Sequence, residues 1–223
     1  MMLIDPFRWG VTGPASIEFK GGTEKVSTAS APIVFSPVSI GTNASKRRVI
    51  VLLHWSYIPS GPTTPTSMTI NGVAAVQHVM ADETKRNTAI STRCAIYSAE
   101  VPTGGDATIT TNWSGPTSAV QAGVYRADNI SSATPIGTAK DWIGDEGTTL
   151  SVSLDTQADG IAVACGNSEE PVNWTGATED YEEDVWYIGA STETDSSTAA
   201  ISYEAPVIPG LGFSYSLIAA SFR

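Results

Sequence analysis

Apolar residues along this chain come in short runs broken by glycine, proline and small polar residues, and helical spacing is scarce. The clearest run is RVIVLLHWSY, Arg48–Tyr57, whose continuous apolar front predicts a core strand. TLSVSL alternates instead: Leu150, Val152 and Leu154 share one face and Ser151 and Ser153 the other, the pattern of an antiparallel strand with one buried face. In SMTINGVAAVQHV two runs, 68–70 and 73–79, meet at Asn71-Gly72. Asn followed by Gly tolerates positive φ at both central positions, so this predicts a two-residue type I′ hairpin. Further strands are predicted at 90–98, 107–113, 119–126, 148–154, 160–165, 186–192, 199–203 and 213–222. Residues 58–66, IPSGPTTPT, read as a loop because prolines interrupt pairing, and 81–89, ADETKRNTA, as a polar connection. Many short strands with evenly spaced turns predict an all-β protein, one antiparallel β-sandwich of jelly-roll-like form, with Val49, Val51, Leu53, Val152 and Leu154 buried.

Two regions depart from this pattern. Residues 1–30 mix apolar anchors with GGTEKVSTASA and read as an N-terminal arm, or an irregular first strand docking elsewhere, beside a sandwich domain at 31–223. Exposed apolar clusters mark contacts, so Leu3, Ile4, Phe7 and Trp9 are interface candidates. Residues 167–185, NSEEPVNWTGATEDYEEDV, read as an exposed acidic loop. No internal repeat is evident in the sequence.

Charge sharpens the picture. The net charge of -11 is uneven: residues 1–93 hold nine Lys or Arg against five acids, and residues 94–223 hold three against eighteen. Such a surface repels nucleic acid, while the basic first part could meet an acidic region of another copy. No apolar stretch approaches the length of a membrane span, and the opening MMLIDPFRWGVTG, with its early acid and proline, argues against a secretory signal. Cys94 and Cys165 lie inside apolar runs and are expected as buried thiols, which leaves the redox compartment open.

Reactive constellations are hard to find. The acids of 167–185 could hold a hard cation, but they lack the ordered alternation and turn glycine of a calcium loop. A glycosidase pair needs two acids across a cleft, which spacing alone does not define. His54 and His78 lie on predicted strands without ligand-spaced partners, and His54, beside Trp55, is expected to pack in the core. No GxSxG elbow or phosphate loop occurs. Trp55, Trp113 and Trp186 are assigned to packing. Trp142 and Trp174, placed in loops beside acids, are the glycan-contact candidates. No cofactor is expected.

The order of segments carries a resemblance. RVIVLLHWSY, the Pro/Gly loop and SMTINGVAAVQHV are followed by CAIYSAEVPTGGDATITTNWSG, AVQAGVYRADNISSATPIGTA, TTLSVSLDTQADGIAVACG and a closing GFSYSLIAASFR. Over residues 30–223 this order resembles a β-sandwich domain of structural proteins in tailed bacteriophages and gene-transfer particles: head spikes, fibres and tail-associated proteins. Within it, PTGGDATIT at 102–110 resembles the family's P-x-G-x-A-x-I-T. The resemblance implies a non-enzymatic virion component that binds other virion proteins and copies of itself, with a trimer as the first expectation, and a cell-surface glycan as a further partner. It brings no catalytic residue. A carbohydrate-binding module using Trp142 and Trp174 is the alternative, and a glycosidase or lyase the third class.

Overall fold

The computed structural model describes residues 13–26, 32–57, 63–82, 84–85, 90–143, 149–168, 171–183, 187–204 and 214–223, and every regular element among them is a β-strand. The first half of the chain supplies β1 (Ser16–Val26), β2 (Ile33–Ser39), β3 (Arg48–Tyr57), β4 (Pro65–Ile70), β5 (Val73–Ala74), β6 (Val76–Met80), β7 (Thr84–Lys85), β8 (Ser91–Glu100), β9 (Asp106–Trp113) and β10 (Ala119–Asp128). The second supplies β11 (Gly137–Ile143), β12 (Thr149–Asp155), β13 (Gly160–Asn167), β14 (Asn173–Thr175), β15 (Thr178–Glu183), β16 (Tyr187–Thr194), β17 (Thr198–Glu204) and β18 (Tyr215–Phe222). All pairings among these strands are antiparallel.

Four sheets result, in two sandwiches. The first sandwich has an inner sheet ordered β1-β10-β3-β8-β6, with β7 also on β8, and an outer sheet ordered β2-β9-β4-β5. The second has an inner sheet ordered β11-β18-β13-β16-β15 and an outer sheet ordered β12-β17-β14. In the first, opening and closing strands pair, the closing strand pairs with the third, and the companion sheet interleaves the rest: this is jelly-roll order. The second inner sheet follows the same order strand for strand, β11 standing for β1, β18 for β10, β13 for β3, β16 for β8 and β15 for β6. The outer order β12-β17-β14 repeats β2-β9-β4 in the same way. The chain therefore contains one architecture twice, although its sequence advertises no repeat.

The sandwiches are stacked inner sheet to inner sheet, giving four layers and three apolar cores. One core fills the first sandwich (Phe35, Val49, Val51, Leu53, Trp55, Ile109) and another the second (Leu150, Val152, Leu154, Leu217, Ile201, Tyr203). The third joins Ile50, Leu52 and Ile96 of the first inner sheet to Ile161, Val163, Ile218 and Phe222 of the second. This explains β3. Its odd-numbered apolar residues face the outer sheet, its even-numbered ones face the other sandwich, and all ten residues are buried. A strand covered on both faces must be apolar on both, so it reads as a continuous run.

Several expectations are realised. Arg48–Tyr57 is a strand, the five named core positions are buried, and Asn71 and Gly72 form a two-residue turn at φ of 50° and 77°. Of residues 1–30, read as an arm or an irregular first strand, 16–26 form such a strand: it pairs with β10 through a bulge between Phe19 and Gly21, and Ile17 and Phe19 pack on the shared core. Others are corrected. Pro65 opens β4, where a missing N–H is tolerated, and the polar connection contains β7. Two sandwiches occupy the span read as one. The acidic segment is not simply a loop: β14 and β15 lie in it, and Tyr181 turns inward as a core residue.

Candidate functional site

Polar side chains are buried at the junction of the two sandwiches. In β15 the pairing with β16 shifts between Glu179 and Tyr181, a bulge that re-aims Tyr181 into the shared layer while Glu179 stays at the surface. Two glycines make room for its ring. A Cβ on Gly123 of β10 would lie 2.4 Å from it, and one on Gly189 of β16 would lie 2.2 Å from it. The ring stacks on Phe19 with centroids 5.1 Å apart, and its hydroxyl meets His54 Nε2 at 2.9 Å. His54 is fully buried, and burial depresses its pKa to about 3, so the imidazole is neutral and either nitrogen can carry the proton. The pair bridges the two sandwiches. As expected, His54 lies in the packed interior.

A second chain of bonds runs through Ser98. Arg48 Nη1 donates to Ser98 Oγ at 3.0 Å, and His78 Nε2 lies 2.7 Å from the same oxygen. Burial, then the Arg48 charge, lowers the His78 pKa to about 4. A serine beside an imidazole invites comparison with a nucleophile and its base. Here Ser98 is fully buried and already accepts a hydrogen bond from a guanidinium, so no reacting atom can reach it. The arrangement ties β3, β8 and β6 together.

Arg47 is more unusual. It is fully buried, and six carbonyl oxygens accept from it: Val101 from Nε, Ile40, Gly41 and Thr42 from Nη1, and Thr103 and Gly104 from Nη2, at 2.7–3.2 Å. Burial, then the nearby Arg126, lowers its pKa. The guanidinium gathers the loops 40–42 and 101–104, which lie outside the strands. Nothing in the hydrophobic pattern flags it; a charge beside the strongest core strand is the one signal.

Two open clefts are lined by described residues. One, of about 380 Å³, lies where Pro14 and Ala15 meet Asp159, Glu193 and Asp195. The other, of about 430 Å³, lies between the edge of β6 (Val76, Gln77, His78) and the inter-sandwich connector (Thr134, Pro135, Ile136). Val76 and Ile136 expose apolar surface at its rim. Further along β11, Lys140 Nζ bridges to Asp82 at 2.7 Å, and beyond it stands Trp142, half exposed. Among the described residues no three His, Cys, Asp or Glu side chains gather as a metal ion would need.

The two tryptophans read as glycan contacts are strand residues, Trp142 in β11 at the edge of the second inner sheet and Trp174 in β14 at the edge of the second outer sheet. Thr138, Lys140 and Trp142 are the exposed positions of the β11 alternation, pairing with Ala220, Ile218 and Ser216, on the side facing the first sandwich. Trp174 instead packs on Tyr203, centroids 5.2 Å apart, against the second core. The structure does not bring them together, and of the two Trp142 alone presents its ring to solvent. Trp55 and Trp113 pack edge to face at 5.6 Å in the first core. Leu3, Ile4, Phe7, Trp9 and Trp186 lie outside the described residues.

Fold and site together define an all-β protein of two antiparallel sandwiches joined face to face. No family model matches the chain, and no curated protein does. Among solved structures it is similar to dimeric latent PorU from Porphyromonas gingivalis, at 13% identity and TM-score 0.30, over 88% of this chain but 21% of PorU, about a fifth of that protein's length. It is also similar to the PBSX exported protein XepA, at 12% identity and TM-score 0.24 over 95% of this chain and 88% of that one. An anti-sigma factor domain-containing protein matches at 10% identity and TM-score 0.22, over 82% and 77% of the two chains. Likenesses of this size add nothing to what the strand pairings establish.

Proposed function

We propose that this protein is a non-catalytic structural component of a virion or related particle, a spike, fibre, minor capsid or tail-associated part that binds other particle proteins and copies of itself. One observation carries the reading. The buried polar groups His54, Tyr181, Arg47 and Arg48 are spent on tying strands, loops and the two sandwiches together, so the chemistry serves rigidity, and contacts fall to edges and loops. Jelly-roll order suits both capsid and lectin roles, and fold alone does not choose between them. Incubation of the labelled chain with purified particles, followed by sedimentation and mass measurement of the free protein, tests it. Co-sedimentation and an oligomer, a trimer in the first instance, are expected; a monomer that never joins particles overturns it.

A carbohydrate-binding role is the second reading, favoured by the exposed Trp142 ring beside Lys140 and Asp82. A glycan array separates the two. Strong sugar binding that Trp142→Ala abolishes, without particle association, selects the second.

A further inference from the structure

Cys94 stands on β8 of the first inner sheet and Cys165 on β13 of the second, and they are the chain's two cysteines. Both are fully buried in the layer that joins the sandwiches. Cys94 Sγ lies 3.9 Å from the Cys165 carbonyl oxygen and 4.0 Å from Ser216 Oγ. Burial, and after it the Cys94 thiol, pushes the Cys165 thiol up. Stacked sheets normally lie about 10 Å apart, yet Cα atoms of β8 and β13 come within 8 Å. Ser216, a small residue on the neighbouring β18, stands across from Cys94. A disulfide needs facing Cβ atoms and Cα atoms within about 7 Å, and the two cysteines stand on the strands that make this approach.

We propose that Cys94 and Cys165 form a reversible disulfide that joins the two sandwiches across their shared layer. The oxidant is a small-molecule disulfide such as oxidised glutathione. One cysteine thiolate attacks it, releasing one thiol and leaving a mixed disulfide. The second thiolate displaces the remaining thiol and closes the Cys94–Cys165 bond. Each cysteine loses its proton, the two electrons pass to the small disulfide, and two reduced thiols leave. Full burial confines this exchange to folding or to transient opening of the junction. Once made, the bond closes the chain between the two sandwiches, which restricts the unfolded state and prevents their separation. The inference is independent of the particle reading.

The test uses the full chain. It is unfolded, refolded in a mixture of reduced and oxidised glutathione, quenched in acid and alkylated in denaturant without reduction. The expected product is a monomer lacking two hydrogens and taking up no alkyl group. Tryptic digestion then yields peptide 94–126 joined to peptide 141–223. The joined chain unfolds at a higher urea concentration than the reduced one, and Cys165→Ser abolishes both the joined peptide and that difference. A second arm needs no refolding: the native reduced chain is held with oxidised glutathione in urea below its transition, where the same joined peptide is expected. Two alkylated cysteines, glutathione adducts or disulfide-linked dimers in both arms, without the joined peptide, overturn the proposal.

Discussion

Arg47 meets six carbonyls with one side chain because a guanidinium fans five N–H donors in a plane and the two hydrogens of Nη1 are shared among Ile40, Gly41 and Thr42. Lysine offers three donors from a single point, so Arg47→Lys leaves buried carbonyls unmet and is expected to destabilise by about 3 kcal/mol, read as a lower urea midpoint. Burial sets the pH response of the two histidines. With folded pKa values of about 3 for His54 and about 4 for His78, both lowered from 6.5, the unfolded chain binds more protons than the folded one below pH 6.5. Their contribution is therefore full above 6.5 and is lost as pH falls toward 4 and then 3, each proton adding a slope of about 1.4 kcal/mol per pH unit. Urea midpoints between pH 7 and pH 4 check this: His54→Gln is expected to flatten the slope by one proton relative to the parent, whatever it does to stability at pH 7.

At the level of elements, the Asn71-Gly72 turn does more than reverse the chain. Asn71 Oδ1 accepts from Thr108 N at 2.7 Å and its Nδ2 donates to the Asp106 carbonyl at 3.1 Å, so the hairpin is tied to β9. Gly72, at φ 77°, has open space where a methyl group would stand, so the cost of Gly72→Ala is backbone strain alone, about 1–2 kcal/mol in thermal or urea unfolding. Gly189 poses the opposite case: its conformation is ordinary, but a methyl group there would strike the Tyr181 ring. Gly189→Ala is expected to expel Tyr181, break its bond to His54 and cost about 2–4 kcal/mol. Tyr181→Phe, which keeps the ring and removes the hydroxyl, is expected to cost about 1–3 kcal/mol, since His54 Nε2 then loses its buried partner. Were Gly189→Ala no worse than Tyr181→Phe, the two glycines would not be the seat of the ring.

For the whole molecule, the decisive feature is the third core. The central strands of each inner sheet, β3 in one and β13 and β18 in the other, are buried on both faces, so unfolding one sandwich strips the apolar face of the other. The two are expected to unfold in one cooperative transition, with calorimetric and van't Hoff enthalpies in agreement. Ile218→Asp places a charge at the centre of this layer, where Ile218 is fully buried. It is expected to split the transition in two or to unfold the second sandwich outright; a single transition at an unchanged midpoint would sink the idea of a shared core.

Taken by itself, the order of residues determined the all-β class, the position of β3, the turn at Asn71-Gly72 and the inward faces of β3 and β12, because these depend on alternation, run length and positive-φ tolerance within a few residues. It left three things to the tertiary structure. The continuous run of β3 says that both faces are covered, but what covers the second face is a sandwich more than a hundred residues away in the chain. The acidic segment looks solvated because carboxylates crowd it, yet one bulge in β15 turns Tyr181 inward, and that seat exists only where Gly123 and Gly189 meet across two sheets. The repeated strand order is likewise invisible in the residues, since a jelly roll constrains which strands pair and asks of each position only that it be apolar on the buried side.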